Sequence, residues 1–275
     1  MSMPNRTVDL MRYVLLSTIA GFGVVSQNRI LGLCGDIKNC FSLDADELLY
    51  RDRMCTARDR IGTKKLELFI KSRDLQEKRE HAEAVIEECA VKGIEIITLA
   101  DQRYPDRFIG LPDVPVVIYI RGDLQINSFT RSIGIVGARR CSQAGKQSAI
   151  TTACDEIQKG AAIISGMAKG IDSYAHTATL KNGGYTIAVL GNGADICYPE
   201  EHERLYQEIA LKGCILSEYT PGTKAREYRF PQRNRLIAAL SDEVYVIDAG
   251  SRSGTETTVE ACGRYGRISL FLESV

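Results

Sequence analysis

No apolar run in this 275-residue chain approaches the length needed to cross a bilayer, so a membrane-spanning helix is not expected. The stretch 13–25 comes nearest to a secretory leader, but Arg12, Ser17 and Thr18 break it up and no small-residue cleavage pattern follows. A cytoplasmic location is the expectation. Paired cysteines are also missing. Nine cysteines stand at 34, 40, 55, 89, 141, 154, 197, 214 and 262, with no C-x-x-C among them. An odd count at irregular spacing favours reduced, mostly buried thiols over a disulfide framework. Only three histidines occur, none four residues from another, which leaves no zinc pattern. Net charge is zero. Any polyanion would therefore have to be met by a local patch rather than by the protein as a whole.

The nucleotide-enzyme signatures are missing too. The turn after the central strand continues into Gly137-Ala138-Arg139-Arg140 instead of G-x-G-x-x-G, and no G-x-x-x-x-G-K-[ST] occurs, so neither a dinucleotide fold nor P-loop hydrolysis is supported. Ser165-Gly166-Met167 lacks the glycine spacing of a nucleophile elbow. His176 lies four residues after Asp172, which suits either a general base or a structural imidazole. Asp195, Glu200, Glu218 and Asp248 are acids near strand ends, but no nucleophile and base pair stands out. No catalytic residue, metal or cofactor is expected.

What is present is an ordinary globular composition, 44% hydrophobic and 25% charged, organised around residues 132–142. There a short apolar run ends in Gly137, and Arg139, Arg140 and Ser142 follow just where a helical pattern begins. The pattern reads as a buried strand opening into an anion-binding loop. Residues 8–60 look helical, with Leu10, Val14, Leu15 and Ile19 on one face and a turn at Gly21-Phe22-Gly23. Arg29 is the one base near that turn, so packing explains the turn better than DNA contact. An acid-rich helix start is expected within 42–47. A single long polar helix is expected over 62–91, followed by strands at 94–99 and 116–120.

From 132 onward, strands at 133–136, 162–165, 185–190, 214–217, 243–247 and 268–271 alternate with helices at 143–159, 171–181, 201–211, 232–240 and 255–265. Such alternation predicts right-handed parallel crossovers and a doubly wound α/β sheet. The domains expected are a helical one over 1–61 and a larger one over 62–275, of which 62–130 is a lead-in of helix and strands.

Ligands of an open parallel sheet bind beyond the carboxyl ends of its strands. The residues found there are Gly137, Arg139, Arg140 and Ser142, then Gly166, Lys169 and Gly170, then Gly191, Asn192 and Gly193, then Glu218, and last Gly250 to Gly254. Glycine, hydroxyl and guanidinium groups are the chemistry of a phosphate cradle. Between 217 and 235 lie five basic residues (Lys224, Arg226, Arg229, Arg233, Arg235) against Glu218 and Glu227, with Tyr219, Tyr228 and Phe230 interleaved. That mixture suits single-stranded nucleic acid, in which phosphates are neutralised and bases stack on rings. It equally suits a core phenylalanine with arginines paired to neighbouring acids.

Several ordered segments resemble the bacterial DNA-processing protein A family. They are 134–142 (GIVGARRCS), 165–176 (SGMAKGIDSYAH), 188–193 (AVLGNG), Tyr198-Pro199, 216–223 (LSEYTPGT), 230–238 (FPQRNRLIA) and 252–254 (RSG). The resemblance covers the chain from about residue 8 to the end. It implies a non-enzymatic protein that binds and protects incoming single-stranded DNA and loads a RecA-type recombinase during natural transformation. It also implies a SAM-like helical domain over 1–61 and an extended Rossmann-like domain that dimerises; as a departure from the family, the C-terminal winged-helix domain that many members carry is expected to be absent. By motif, the DNA site would comprise Gly137, Arg139, Arg140, Ser142, Gly166, Lys169, Arg229, Phe230, Arg233, Asn234, Arg235, Arg252, Ser253 and Gly254. Glu256 departs from the family pattern, and an acid there should weaken phosphate binding unless it turns away or pairs with Arg252. The competing reading is an enzyme on nucleoside monophosphates, like the phosphoribohydrolases of the same sheet type. Their G-G-x-G-T-x-x-E signature is not met, because Glu260 follows Gly254-Thr255 too far along.

Overall fold

A computed structural model describes residues 3–249 and 254–272, with side chains from residue 7 onward. The chain divides into two compact units, Met1–Asp101 with Pro112–Ile118, and Gln102–Leu111 with Tyr119–Val275. The boundary expected after residue 61 falls inside the first unit, which also takes in the polar helical segment that follows.

The first unit contains α1 (Met3–Thr18), α2 (Val24–Cys34), α3 (Ile37–Ser42), α4 (Ala45–Met54), α5 (Thr63–Arg73), α6 (Gln76–Val91) and the strand β1 (Glu95–Thr98). Val14, Leu15 and Ile19 are buried and Leu10 is half-buried, as the helical spacing predicts. Short helices need side chains to cap their free amides. Asp36 accepts the Asn39 N–H (2.7 Å) at the start of α3, and Asp44 accepts the Glu47 N–H (2.8 Å) at the start of α4. Phe69 of α5 stacks on Phe22 at 5.5 Å and meets Phe41 edge-on at 5.8 Å. Those rings tie the first turn, α3 and α5 into one core.

The single long helix expected over 62–91 is two helices. The buried Arg73 guanidinium donates to the carbonyls of Cys40 and Leu43, both at 2.7 Å, and Leu75 is extended (φ −74°, ψ 124°) before α6 begins. The charge pattern runs unbroken across this point. What stops α5 is a tertiary tether that local sequence does not reveal.

The second unit carries most of the sheet. Its elements are β2 (Val117–Gly122, shared with the first unit), β3 (Ser132–Gly137), α7 (Gln143–Gln158), β4 (Ala162–Ser165), α8 (Ile171–Lys181), β5 (Thr186–Leu190), α9 (Glu203–Lys212), β6 (Cys214–Ser217), α10 (Arg229–Leu240), β7 (Glu243–Ile247), α11 (Glu256–Tyr265) and β8 (Ile268–Leu272). The strand order is β1-β2-β6-β5-β4-β3-β7-β8. β6-β5-β4-β3-β7-β8 are parallel, and β2 runs antiparallel to β6. The expected mostly parallel, doubly wound α/β sheet is what forms.

Parallel strands covered on both faces read as unbroken apolar runs. Ile133, Ile135, Ile163 and Ile247 pack with Ala149 and Ala153 of α7 and with Ile171 and Ala175 of α8. The alanines let these helices lie close on the sheet. At the opposite end of the sheet from the strands' carboxyl ends, Arg131 pairs with Glu156 (3.0 Å) and Glu243 (3.1 Å), and Arg107 with Asp242 (3.0 Å). From β3 the chain winds outward to β6, then crosses back to β7 on the other side of β3. The switch point between β3 and β7 is where such sheets leave a crevice at their carboxyl ends.

All nine cysteines are free thiols, five buried and four half-buried. No helix among the described residues is long and apolar enough to cross a membrane.

Candidate functional site

The rim at the carboxyl ends of β3, β4, β5 and β7 is assembled from glycines that let backbones close up. A Cβ on Gly137 would stand 2.1 Å from the Ile247 carbonyl oxygen, and one on Gly170 (φ +78°) 2.3 Å from that of Ala138. Only glycine fits either place. Arg139 and Arg140, which follow this corner, are exposed.

Ser142 has a different task from the one its motif suggests. Its hydroxyl accepts the Gly145 N–H (2.9 Å) and so caps α7, while its own N–H donates to Asp248 Oδ2 (2.6 Å). Asp248, in the left-handed region at φ +54°, presents its carboxyl to the start of α7. A Cβ on Gly145 would come within 2.7 Å of that carboxyl. A helix N-terminus favours an anion. Here the chain's own Asp248 supplies it, so the exposed arginines and not the α7 amides are left to meet an external anion.

A second buried carboxylate organises the loop after β4. Asp172 accepts the N–H groups of Gly166 (3.1 Å) and Ala168 (3.3 Å). Burial pushes its pKa up, while Arg233 and these amides oppose the rise. Arg233 is itself buried, 4% exposed, and donates to the carbonyls of Gly166 (2.7 Å) and Val189. Burial pulls its pKa down to about 10, with Asp172 holding it against a larger fall. The guanidinium stays charged at neutral pH. Lys169, in the same loop, is half-exposed and pairs with Glu201 at 2.5 Å.

The helix expected from residue 232 begins earlier, at Arg229, so the basic stretch 217–235 ends inside it. Pro231 falls in the first turn of α10, where its missing N–H costs no hydrogen bond. Phe230, on that turn, stacks on Tyr198 with centroids 5.4 Å apart and planes at 26°. The Arg139 guanidinium lies 5.6 Å from the Phe230 ring centre, with Arg233 on the same ring at 6.0 Å. Tyr198 is 44% exposed. Arg229 lies over Tyr219 (5.0 Å) and Tyr228 (5.5 Å) and donates to the Lys224 carbonyl at 2.5 Å. A cation over an aromatic face is held in place while its outer side stays available.

Two further predicted residues serve the scaffold. Asn234 donates to the Gly254 carbonyl (2.9 Å) and to Thr257 Oγ1 (3.0 Å), tying α10 to the last loop. Arg235 makes a two-pronged ion pair with Glu218 at 2.8 and 2.6 Å, which also commits one of the four strand-end acids considered for catalysis. Gly254 is exposed, with open space where a Cβ would go. Glu256 is the exposed first residue of α11, a favourable place for an acid. Arg252 and Ser253 lie outside the described residues.

His176, considered as a base, is fully buried with Nδ1 2.7 Å from Thr186 Oγ1. Burial, with His202 and Arg233 nearby, pulls its pKa down to about 3. It is a neutral core imidazole. Among the described residues no three His, Cys, Asp or Glu side chains gather as metal ligands.

Three residues now stand out that sequence reasoning did not assign to the site: Tyr198, Asp172 and Asp248. Tyr198 and Asp172 had a signal, since both fall within the ordered motifs, Tyr198-Pro199 and 165–176. Asp248 acts on a backbone amide and left no pattern.

The fold and this rim define a class: a Rossmann-like α/β protein whose strand ends present exposed guanidinium groups beside stacked rings. Residues 95–274 match the model of the DNA recombination-mediator protein A family, and the chain belongs to that family. It is 39% identical over 170 residues to the DNA processing protein DprA of Streptococcus pneumoniae, covering 62% of this chain and 60% of that protein. With the Bacillus subtilis DprA it shares 36% over 176 residues, 64% and 59% of the two chains. The chain thus spans about three fifths of the length of these relatives. Its fold is similar to the X-ray structure of the S. pneumoniae DprA, with a TM-score of 0.77 and 28% identity over 98% of this chain and 87% of the other. It is also similar to DNA processing protein A of Helicobacter pylori, described for its single-stranded DNA binding mode, with a TM-score of 0.59 and 32% identity over 66% and 81%.

Proposed function

We propose that the chain binds single-stranded DNA along the strand-end rim and acts without catalysis as a recombination mediator. The observation that carries the reading is the Arg139–Phe230–Tyr198 group, a cation held beside a stacked pair of rings with one ring exposed. Phosphates would be met by Arg139, Arg140, Arg229 and Lys169, and by Arg252, Ser253 and Gly254 of the last loop. A base would stack on the Tyr198–Phe230 pair, an interaction worth about 1–3 kcal/mol and indifferent to base identity. In this reading Arg233, Asn234 and Arg235 hold the platform from behind, together with Gly137, Ser142 and Gly166.

The single-stranded DNA described for the H. pylori relative supports the choice of ligand. Family membership supports the role of mediator. On that footing the chain protects incoming single strands and loads a RecA-type recombinase in natural transformation, working as a homodimer, with residues 1–61 as a SAM-like accessory domain.

The test is fluorescence anisotropy of a labelled dT oligonucleotide titrated with protein at two salt concentrations, with unlabelled duplex as competitor. Binding that weakens with salt and survives duplex competition is the expected result. No binding at low salt would overturn the reading, and light scattering of the same sample would check the dimer.

A further inference from the structure

The first unit carries a second, separate concentration of positive charge. Residues 51–65 hold six basic side chains against two acidic ones, and of the six only Arg51 has a carboxylate partner among the described residues, Glu47 of α4 at 2.6 Å. Helix–helix connections need no such charge to form. The arrangement of these groups is what gives them consequence.

Neither acid of the segment neutralises an arginine or lysine. Asp52, at the end of α4, is buried and accepts the N–H groups of Ile61 (2.6 Å) and Gly62 (3.2 Å). Asp59 accepts the Thr56 hydroxyl at 2.7 Å. Two guanidinium groups are spent on carbonyls instead. Arg29 of α2 donates to Arg60 O (2.8 Å) and to Arg58 O, and Arg60 donates to Asp52 O (3.3 Å), Arg53 O (2.8 Å) and Cys55 O (3.3 Å). Lys65 reaches Ser26 Oγ on α2 at 3.3 Å. These bonds draw the end of α4, the connection 55–62 and the start of α5 against α2, and fix the backbone between them. Arg53, Arg58 and Lys64 project from that fixed backbone, exposed and with no bonding partner among the described residues. Arg29, Arg53, Arg58, Arg60, Lys64 and Lys65 thus form a cluster of six cations to which no carboxylate of the described residues is paired.

We propose that this α4–α5 hairpin, with Arg29 of α2, is a docking surface for the phosphate backbone of duplex DNA. Charge complementarity selects a polyanion, since a rigid group of unpaired cations gains by releasing the counterions of closely spaced phosphates. Ring chemistry selects the duplex over the single strand. On the rim, rings stack and guanidinium groups lie over them. In the hairpin, among the described residues, none of the six cations lies over a ring, and Tyr50 on α4, exposed, has neither a ring nor a cation against it. Such a surface meets phosphates and has no platform for unpaired bases, and a duplex shows it phosphates alone.

The test uses the full chain with two labelled probes, a short duplex and a dT oligonucleotide, each titrated across a range of salt. The variant R53A/R58A/K64A removes three charges that bond to nothing in the fold, and its unfolding midpoint should match the parent. Duplex affinity should fall, and the slope of log K against log salt should become shallower by about 2–3, each lost phosphate contact removing about 0.9. Affinity for dT should not change. R53K/R58K/K64R, which keeps the charge, should keep the duplex slope. Unchanged duplex affinity and slope in the triple alanine variant would overturn the proposal. Equal losses on both probes would overturn it too, by assigning the hairpin to the single strand. The rim reading stands or falls separately: loss of dT binding alone in R139A/F230A supports the rim and leaves the hairpin untouched.

Discussion

The buried guanidinium of Arg233 donates a 2.7 Å hydrogen bond to the Gly166 carbonyl, in space that exists because residue 166 has no side chain. A Cβ there would stand 2.5 Å from Arg233 Nη2. Glycine and arginine, which both looked like phosphate ligands in the sequence, are here partners of one another. Arg233→Ala would strip the buried Asp172 of its countercharge and leave two carbonyls unpaired. Removing one partner of a buried pair costs about 3–5 kcal/mol. Urea unfolding of Arg233→Ala should show a loss of that size. A variant of unchanged stability and weakened DNA binding would instead make Arg233 a surface contact. Gly166→Ala should also destabilise, because the guanidinium has no room to retreat.

Arg139 is the opposite case, an exposed cation whose visible contact is the face of Phe230. Arg139→Ala should weaken single-strand binding evenly across sequences and reduce the salt slope by about 1. Phe230→Ala and Tyr198→Ala should each cost about 1–3 kcal/mol of affinity with little change of slope, since stacking releases no counterion. Anisotropy titrations over a salt series separate the two effects. A slope unchanged in Arg139→Ala would remove that residue from phosphate contact.

Lys169 reaches the rim already paired with Glu201 at 2.5 Å, both side chains half-exposed. A phosphate must compete with that carboxylate for the ammonium. Glu201→Gln should therefore tighten single-strand binding and steepen the salt slope, whereas Lys169→Ala should weaken it. An affinity unchanged in Glu201→Gln would show that Lys169 does not meet the strand.

The sheet was legible in the sequence because its strands are buried on both faces. The runs 162–165 and 214–217 are continuous stretches of apolar and small residues bounded by turn residues, and they coincide with β4 and β6. The strand ends drew attention to Arg139 and Lys169 and the basic stretch to Arg229, and these lie in the segments that follow β3, β4 and β6. What could not be read was which polar groups the rim keeps for itself. Asp248 and Asp172 satisfy amides brought near by the fold, and an aspartate bonded to a backbone N–H has no sequence period. Arg235 and Glu218 are far enough apart along the chain that their pairing is purely tertiary. The break between α5 and α6 was hidden for the same reason, since Arg73 is anchored to carbonyls of Cys40 and Leu43.

His176 gives the fold a pH dependence that begins above the carboxylate range. Its pKa is pulled from 6.5 to about 3, first by burial and then by the charges of His202 and Arg233. Below 6.5 the unfolded chain binds a proton at this imidazole and the folded chain does not, so stability falls as pH drops. The full contribution is present above 6.5, and it declines by about 1.4 kcal/mol per pH unit on the way down toward 3. Glu156 and Asp242 also have lowered pKa values. Burial is the largest influence on each and opposes the shift, but hydrogen bonds from Lys159 and Arg131, and from Arg107 and Ser132, outweigh it. As carboxylates they lose their stabilising charge only below their unfolded values of 4.5 and 3.8. Asp172 acts with the opposite sign, since burial raises its pKa and a raised carboxyl favours the folded state as pH falls, so the imidazole's own contribution is read as the difference between the parent and a His176 variant. From pH 6.5 to about 5, urea midpoints of the parent should fall relative to those of His176→Asn. Midpoints of the two that keep a constant separation across that interval would mean that the folded protein takes up a proton at His176 as readily as the unfolded chain, and that Thr186 and the surrounding core do not hold this ring neutral.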